Sequence, residues 1–163
     1  MNAIVVADRN WAIGRDNGLL FSLPGDMKHF RTLTAGGTLI MGRKTLDSFP
    51  GGRPLPKRRN IVITRDPAFQ REGCEVVHSP AEALTLAGGG SDVWLIGGGS
   101  IYAALLDRCS RAYITRVNAA APDADTFFPD LDSLPEWSAS HTEAPVTENG
   151  LTYRFVEYVR EER

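Results

Sequence analysis

The chain has 163 residues, of which 42% are hydrophobic and 23% charged, and its formal net charge at pH 7 is -2. These values indicate one globular domain over residues 1–163 with enough apolar surface for a core. The slight negative charge gives no electrostatic reason to expect nucleic acid as the main partner. No apolar run approaches the ~20 residues of a membrane-spanning helix, so we expect no membrane association.

The start of the sequence and its cysteines favour a reducing, cytoplasmic setting. Residues 1–8 lack the basic region of a signal peptide and run straight into a strand pattern, so we expect no signal peptide. The two cysteines, Cys74 and Cys109, are isolated and form no ligand-type pair. The three histidines are scattered, and none has a second ligand near it in sequence, so we predict no metal site.

The first predicted element is a buried strand at residues 4–7, which form a short apolar run. The polar, glycine-containing residues 8–21 follow and are predicted to form a long loop of the kind that serves as a lid or binding loop. Pro24 marks the first position of a helix that ends near Gly36. The later predicted strands are residues 38–41, 60–64, 75–77 and 93–96, and the later helices are residues 42–49, 80–87 and 100–106.

The order of these elements predicts the fold class. Strands and helices alternate up to residue 106, which is typical of an α/β fold with a mostly parallel, twisted sheet and helices on both faces. Residues 112–117 and 153–159 instead alternate between apolar and polar side chains, like paired antiparallel strands. We expect these last two strands to add an antiparallel edge to the sheet.

Asp26 is the first candidate for chemistry. Helical spacing places Asp26, Phe30 and Leu33 on one face, with Met27 beside them. A carboxyl held against apolar groups keeps its proton above the ~3.9 of a free Asp, which makes it useful as a proton donor near neutral pH. The alternative is that an acid in the first turn of the helix only complements the helix dipole.

Two strand-to-helix turns and the end of a neighbouring strand carry features of anion-binding sites. Gly97–Gly99 allows close backbone approach to a phosphate, but the same triplet is equally compatible with a tight turn. Gly42, Arg43, Lys44 and Thr45 combine cations with a hydroxyl, and Thr64 and Arg65 add another of each. Both turns follow strands of the predicted parallel sheet, where open α/β sheets bind ligands. They suit a ligand with several phosphates, and the alternative is a solvated basic rim.

Seven short motifs, in this order, carry a resemblance to a known family. They are Ala12-Ile13-Gly14, Leu23-Pro24-Gly25-Asp26, Ile40-Met41-Gly42-Arg43-Lys44-Thr45, Gly52-Arg53-Pro54-Leu55-Pro56, Arg58-Arg59-Asn60-Ile61-Val62, Ile96-Gly97-Gly98-Gly99-Ser100-Ile101-Tyr102 and Asp125-Thr126-Phe127-Phe128-Pro129. Together they resemble bacterial dihydrofolate reductases of the chromosomal type over essentially the whole chain. The resemblance implies a central eight-stranded, mainly parallel sheet with flanking helices.

The resemblance also implies a reaction and its acid. The family reduces 7,8-dihydrofolate to tetrahydrofolate, for one-carbon and thymidylate metabolism, with NADPH as cofactor and hydride donor to pteridine C6. By resemblance, Asp26 is the single acid of the pterin pocket, and Thr115 bonds its carboxylate. Whether the acid protonates N5 directly or through water is left open.

The remaining roles are assigned by resemblance, position by position. Arg58 binds the α-carboxylate of the substrate's glutamate through a bidentate contact. Arg31 lies on the flank of the same helix as Asp26, where it could help to bind the glutamate tail. The other residues expected to wall the folate site are Ile4, Val6, Met27, Phe30, Phe49 and Leu55. The expected cofactor-binding residues are Ala7, Ile13, Gly14, Leu19, Gly42, Arg43, Lys44, Thr45, Ile63, Thr64, Arg65, His78, Ile96, Gly97, Gly98, Gly99, Ser100, Ile101 and Tyr102.

Within that cofactor set, the resemblance gives each group a part. Gly97–Gly99 meets the pyrophosphate, and the first glycine pair carries a non-proline cis peptide. Arg43, Thr64 and Arg65 surround the 2′-phosphate. Ile13, Gly14 and Leu19 belong to a mobile loop over the nicotinamide.

Three positions depart from the family pattern. Phe21 stands where bacterial relatives usually have Trp, so an indole N–H that holds an active-site water is lost. Phe21 is therefore either part of the proton path or only an aromatic wall. Val6 replaces the usual Ala beside the nicotinamide, where we expect a small steric effect. The extra glycine in Pro50-Gly51-Gly52 shifts the alignment of Phe49 by up to one position.

Two other functions compete with the reductase assignment. A riboflavin-pathway reductase shares the broad fold and uses NADPH, but lacks the Leu-Pro-x-Asp helix and does not need Arg58. A nucleotide-binding or drug-sequestering relative would keep the scaffold without turnover, and Asp26, Thr115 and the phosphate turns argue against it. By resemblance we expect a cytoplasmic monomer that binds dihydrofolate and antifolates such as trimethoprim or methotrexate.

Overall fold

Twelve strands make up two sheets in the computed structural model, which describes residues 1–15 and 18–161, with the backbone alone at residues 18–19. The strands are β1 Asn2–Ala7, β2 Ala12–Arg15, β3 Gly18–Leu19, β4 Thr38–Gly42, β5 Arg59–Ile63, β6 Cys74–Val77, β7 Val93–Gly97, β8 Arg111–Val117, β9 Thr126–Phe127, β10 Trp137–Thr142, β11 Val146–Glu148 and β12 Leu151–Arg160. Eight of them form the central sheet in the order β10-β12-β8-β1-β7-β4-β5-β6, and β11 pairs with β12. The predicted central sheet is therefore confirmed.

In the described part of the chain, four α-helices cover this sheet, at α1 Pro24–Thr34, α2 Arg43–Ser48, α3 Pro80–Ala87 and α4 Gly99–Leu105. Alternate side chains of one strand belong to different cores: Ile40 packs with α3 and α4, whereas Leu39 and Met41 pack with α1 and α2. Successive side chains of a strand point to opposite faces. The helices therefore cover both faces of the sheet, as predicted.

Strand direction changes at β8. The pairs from β8 through β1, β7, β4 and β5 to β6 are parallel, whereas β12 pairs antiparallel with β8, and β10 antiparallel with β12. The antiparallel pairing of residues 112–117 with 153–159 is confirmed. The antiparallel strands lie at one end of the sheet, as predicted, and the unpredicted strand β10 pairs with β12 as the outermost strand.

The segment predicted as one long loop is partly strand. β2 pairs with β3 and with β9 to form a small antiparallel sheet. Residues 16–17 of the predicted loop lie outside the described residues. The prediction missed β2 and β3, and β2 has its second partner, β9, more than a hundred residues further along the chain.

The central sheet opens between β1 and β7. Their ladder stops at the pair Ala3 and Leu95, whereas β1 stays paired with β8 as far as Ala7. The hydroxyl of Tyr102 on α4 donates to the carbonyl of Ile4 at 2.7 Å, at the first position beyond the ladder. This opening lies toward the carboxyl ends of both strands, where ligands bind in open α/β sheets. None of the described helices is long and apolar enough to cross a membrane.

Candidate active site

Asp26 lies in the first turn of α1, half-buried and in contact with the central sheet. Pro24 starts this helix with a fixed backbone angle. Thr115 Oγ1 donates a hydrogen bond to Asp26 Oδ1 at 2.5 Å, which is the contact that the resemblance implied. Thr115 is only 2% exposed. Because Thr115 lies near the carboxyl end of β8, the acid lies at the edge where β1 and β7 diverge.

Three neighbouring groups and the burial of the site control the charge of Asp26. Burial raises the pKa of the Asp26 carboxyl above its usual range, because the charged form loses water. The hydrogen bond from Thr115 and the positive form of His29 lower this pKa, whereas the negative charge of Glu148 raises it. The net direction is upward, so the site favours the protonated acid.

Apolar residues predicted to line the site lie on several elements of the fold. Val6 on β1 pairs with Thr115 on β8. Phe21 and Val6 pack, partly buried, against a core cluster that contains Leu23 and Tyr153. Met27 is 52% exposed, so its side chain is free to contact a ligand. The other predicted wall residues, Ile4, Phe30, Phe49 and Leu55, belong to the core cluster under α1 and α2.

His29 lies one helical turn after Asp26 and stacks on Phe155 of β12, with 3.8 Å between ring centroids. Phe155 is the register partner of Thr115. Burial lowers the pKa of His29, and the charges of Asp26 and Glu143 oppose that change. Two neighbouring strands of the sheet, β12 and β8, therefore support the histidine and carry the hydroxyl that flank the acid.

Arg58 is held in place by three hydrogen bonds. Its Nε donates to Thr34 Oγ1 at 3.0 Å, one terminal nitrogen donates to the Pro56 carbonyl at 2.9 Å, and the other donates to the Arg31 carbonyl at 3.1 Å. A guanidinium has five N–H donors, so among the described residues one donor on each terminal nitrogen has no partner. That pair matches the two oxygens of a carboxylate. Arg31 itself is exposed beside Arg58.

The predicted cofactor residues meet at one edge of the sheet. Gly42 pairs with Ile63, Ile63 with Val77, and Met41 with Gly97, so β4, β5, β6 and β7 end side by side. We call the residues that end or follow these four strands the carboxyl edge. They include the predicted residues Gly42, Arg43, Lys44, Thr45, Thr64, Arg65, His78, Gly97, Gly98, Gly99 and Ser100.

Two glycines of the carboxyl edge disfavour a side chain, Gly97 because of its positive φ and Gly99 because of a close neighbour. The peptide bond between Gly97 and Gly98 is cis, as the resemblance implied, and Gly97 has a φ of 122°. A Cβ at Gly99 would lie 2.6 Å from Thr126 Cγ2, and one at Gly97 would lie 3.5 Å from Thr45 Oγ1. The glycine turn therefore lies against both α2 and β9 and presents backbone to the opening.

The cations of the carboxyl edge differ in their partners. Arg43 forms ion pairs with Asp66 at 3.3 Å and with Asp47 at 3.6 Å, and its guanidinium lies 4.4 Å from the ring centroid of Phe69. Arg65 forms no ion pair within residues 1–15 and 18–161. The predicted basic cluster is therefore partly neutralised by carboxylates that the sequence reasoning did not include.

The other predicted cofactor residues are mostly packing residues in this structure. Ile13, Ile101 and Tyr102 are buried in the core under α3 and α4, together with Ala7. Ile63 and Ile96 pack partly buried against the two cores. His78 Nδ1 lies 2.9 Å from the Thr64 carbonyl. The backbone of Gly14 pairs with that of Leu19. The predicted contact of the Leu19 side chain with the cofactor falls outside the part of the chain that the structure describes.

Sequence reasoning missed several neighbours of the site. Glu148 and Tyr153 reach the start of α1 from the β11–β12 hairpin, and Asp66 reaches Arg43. Asp66 directly follows Thr64-Arg65 in the sequence, so its place beside the predicted phosphate site could have been predicted. The contact of Glu148 could not have been predicted from the sequence, because Glu148 is 123 positions from its partner Gly25. Within the described part of the chain, no group of three or more His, Cys, Asp and Glu side chains is placed to hold a metal ion.

The fold and the site have the features of a nucleotide-binding α/β protein with an acid beside its cleft. The profile of the dihydrofolate reductase family matches residues 1–160. A dihydrofolate reductase of Mycobacterium tuberculosis is 41% identical over 151 residues, which cover 91% of this chain and 90% of that protein. One of Staphylococcus aureus is 36% identical over 162 residues, which cover 98% of each.

A solved structure agrees with the sequence relatives. The dihydrofolate reductase of Enterococcus faecalis, complexed with NADP(H) and RAB-propyl, superposes with a TM-score of 0.87 at 34% identity, covering 99% of this chain and 96% of that chain. The chain belongs to the dihydrofolate reductase family.

Proposed function

We propose that this protein reduces 7,8-dihydrofolate to tetrahydrofolate with NADPH. The observation that carries the proposal is the half-buried Asp26, bonded to Thr115 and raised in pKa, at the end of the sheet where β1 and β7 diverge. Family membership supports it, as does the Enterococcus faecalis relative, whose structure is complexed with NADP(H).

The residues of the carboxyl edge fit a phosphorylated dinucleotide. Gly97, Gly98 and Gly99 present backbone that a pyrophosphate can approach closely, because no side chain occupies that space. Thr64, Arg65 and Arg43 would hold the 2′-phosphate with one hydroxyl and two guanidinium groups. When bound, NADPH supplies the hydride. Gly14 on β2 would lie beside the nicotinamide, as the resemblance implies, with Ile13 packed in the core behind it.

Asp26 would bind the pterin and supply the proton that N5 receives. Its raised pKa keeps the carboxyl protonated nearer to neutral pH, as a group that supplies a proton to N5 requires. Thr115 holds one carboxyl oxygen, which leaves the other free to face the ring. Val6, Met27 and Phe21 would exclude water around the ring.

Arg58 would bind the glutamate end of the substrate. Its three internal hydrogen bonds fix the guanidinium before the substrate arrives, so little side-chain freedom is lost on binding. The two remaining N–H groups match one carboxylate, and Arg31 adds a second positive charge nearby. A substrate that lacks the glutamate would leave this arginine without its partner.

The test is consumption of NADPH absorbance with dihydrofolate present. We expect turnover with dihydrofolate and little with a pterin that lacks the glutamate tail. Replacing dihydrofolate by the riboflavin-pathway substrate tests the second enzyme class. Binding of NADPH and dihydrofolate without turnover would instead support a sequestering protein. Wild-type protein that binds neither would refute all three functions.

The remaining properties extend the same proposal. We propose a cytoplasmic monomer with no nucleic-acid partner, inhibited by trimethoprim or methotrexate at the dihydrofolate site. The slight net negative charge and the free cysteines Cys74 and Cys109 are in keeping with this setting. Sedimentation and competition binding against dihydrofolate test the oligomeric state and the inhibitors.

A further inference from the structure

The start of α1 is held by a residue from the other end of the chain. Its N-cap position, Leu23, makes no side-chain cap hydrogen bond. The backbone N–H of Gly25 instead donates to Glu148 Oε1 at 3.0 Å. Glu148 ends β11 and pairs with Leu151 of β12. A helix start has unpaired N–H groups that favour a carboxylate, so Glu148 supplies the missing cap from the β11–β12 hairpin.

The contact is closely packed. Tyr153 is 2% exposed, and its hydroxyl donates to the same Glu148 oxygen at 3.4 Å. A Cβ at Gly25 would lie 2.3 Å from the Tyr153 hydroxyl and 3.4 Å from Glu148 Oε2. Only glycine therefore allows the hairpin and the helix to approach this closely. Because Asp26 is the next residue, the same contact fixes the backbone that carries the acid.

We propose that Glu148 is a positioning residue for Asp26, which fixes the first turn of α1 and places a second negative charge beside the acid. The inference rests on the proposed reductase function. A neighbouring negative charge disfavours ionisation of a carboxyl. Glu148 therefore extends the pH range in which Asp26 carries its proton, and hydride transfer persists to higher pH than it would without this residue.

The other groups that face Asp26 come from four elements. His29 of α1 opposes Glu148 when it is positively charged, and Glu143 acts on His29. Thr115 of β8 donates a hydrogen bond that favours the charged acid. The neutral hydroxyls of Tyr153 on β12 and Tyr102 on α4 complete the set. In contrast to His29 and Thr115, which lower the pKa of Asp26, Glu148 raises it through its negative charge.

The test separates the charge of Glu148 from its hydrogen bond. Glu148→Gln keeps an oxygen that accepts from Gly25 but removes the charge, whereas Glu148→Ala removes both. With Glu148→Gln we expect the falling limb of the kcat/KM profile to move to lower pH, with a roughly two- to fivefold lower value above the midpoint. Below the midpoint the value should match wild type. Glu148→Ala should show the same shift and a lower melting temperature.

Glu161→Gln is the matched control, because it removes one carboxylate beyond the end of β12, where Glu161 is exposed. It should leave the pH profile unchanged. A profile that stays in place in Glu148→Gln, or that moves to higher pH, would overturn the proposal. So would a change in KM or stability alone, since that result assigns Glu148 a purely structural role.

A second readout does not depend on turnover. The 13C carboxyl resonance of Asp26, assigned by its loss in Asp26→Asn, should titrate at lower pH in Glu148→Gln than in wild type. If wild type does not reduce dihydrofolate, the proposed function fails while this titration still tests the charge effect. If wild type is active and the titration is unchanged, the Glu148 proposal alone fails.

Discussion

The acid and the carboxyl edge are built in opposite ways. Asp26 is half-buried, and its main hydrogen-bond partner, Thr115, is buried. At the carboxyl edge the cations are exposed, and Arg43 pairs with two carboxylates that are themselves about half exposed. Burial strengthens electrostatic effects and solvent weakens them. Substitutions at the acid should therefore have large effects, and charge substitutions at the edge small ones.

The largest effect is expected for Asp26→Asn. The variant keeps an oxygen that accepts the Thr115 hydrogen bond but has no proton to supply. Positioned proton transfer contributes typically ~10²–10⁴-fold, and we expect hydride transfer at pH 7 to fall by that factor. The wild-type rate should decrease as pH rises through the raised pKa of Asp26, because the protonated acid is needed. Asp26→Asn should lack this decrease.

Thermal unfolding provides the control for that variant. A carboxyl whose pKa is raised on folding adds stability that is present below its unfolded pKa and is lost as pH rises through its folded pKa. Asp26→Asn does not ionise, so it should gain stability relative to wild type as pH rises from the unfolded pKa through the raised pKa of the folded state. A variant within a few-fold of wild-type activity from pH 5 to 8 would refute the role of Asp26.

Phe21→Trp tests how closely the acid region is packed. Phe21 is partly buried against the cluster of Leu23, Val117 and Tyr153. If this packing has adapted to phenylalanine, the larger ring should cost ~1–3 kcal/mol of unfolding free energy and leave turnover no better. Faster turnover with an unchanged melting temperature would instead show that the site lacks an indole donor. The expected result is a lower melting temperature with slower turnover.

The sequence predicted the locally determined parts of both regions. Helix α3 was predicted at its observed bounds, because Ser79 caps it, Pro80 begins it and Gly88 ends it. The position of Asp26 on an apolar helix face was also readable from spacing. Strands β2, β3, β9, β10 and β11 were not, because such short segments become strands only through their pairing partners, and the partners β2 and β9 lie more than a hundred residues apart. Likewise, Thr115 came only from the family resemblance, and Glu148 was not found at all.

At the carboxyl edge, Arg65→Ala should reduce the preference for NADPH over NADH. Arg65 has no ion pair within the described residues, so its charge is available to a phosphate. A charge-assisted hydrogen bond contributes roughly 1.5–3 kcal/mol, and 1.4 kcal/mol is about tenfold. We expect wild type to prefer NADPH at least about tenfold and Arg65→Ala to lose most of that ratio. Arg108→Ala, at an exposed site after α4, is the control. Equal use of both cofactors by wild type would show that the cluster is misassigned.

The smallest effect is expected for Asp66→Asn. Asp66 lies 3.3 Å from Arg43 and competes with a 2′-phosphate for that guanidinium. Both partners are more than two-fifths exposed, and an exposed ion pair is worth only about 0.2–1 kcal/mol. Removing the carboxylate charge should therefore tighten NADPH binding by roughly 1.5- to fivefold and leave NADH binding unchanged. Isothermal titration with both cofactors measures the difference, and Asp107→Asn is the control for net charge.

Equal tightening of NADPH and NADH would mean that Asp66 acts on the whole edge rather than on the phosphate. Weaker NADPH binding would mean that Asp66 holds Arg43 in the geometry that the phosphate needs.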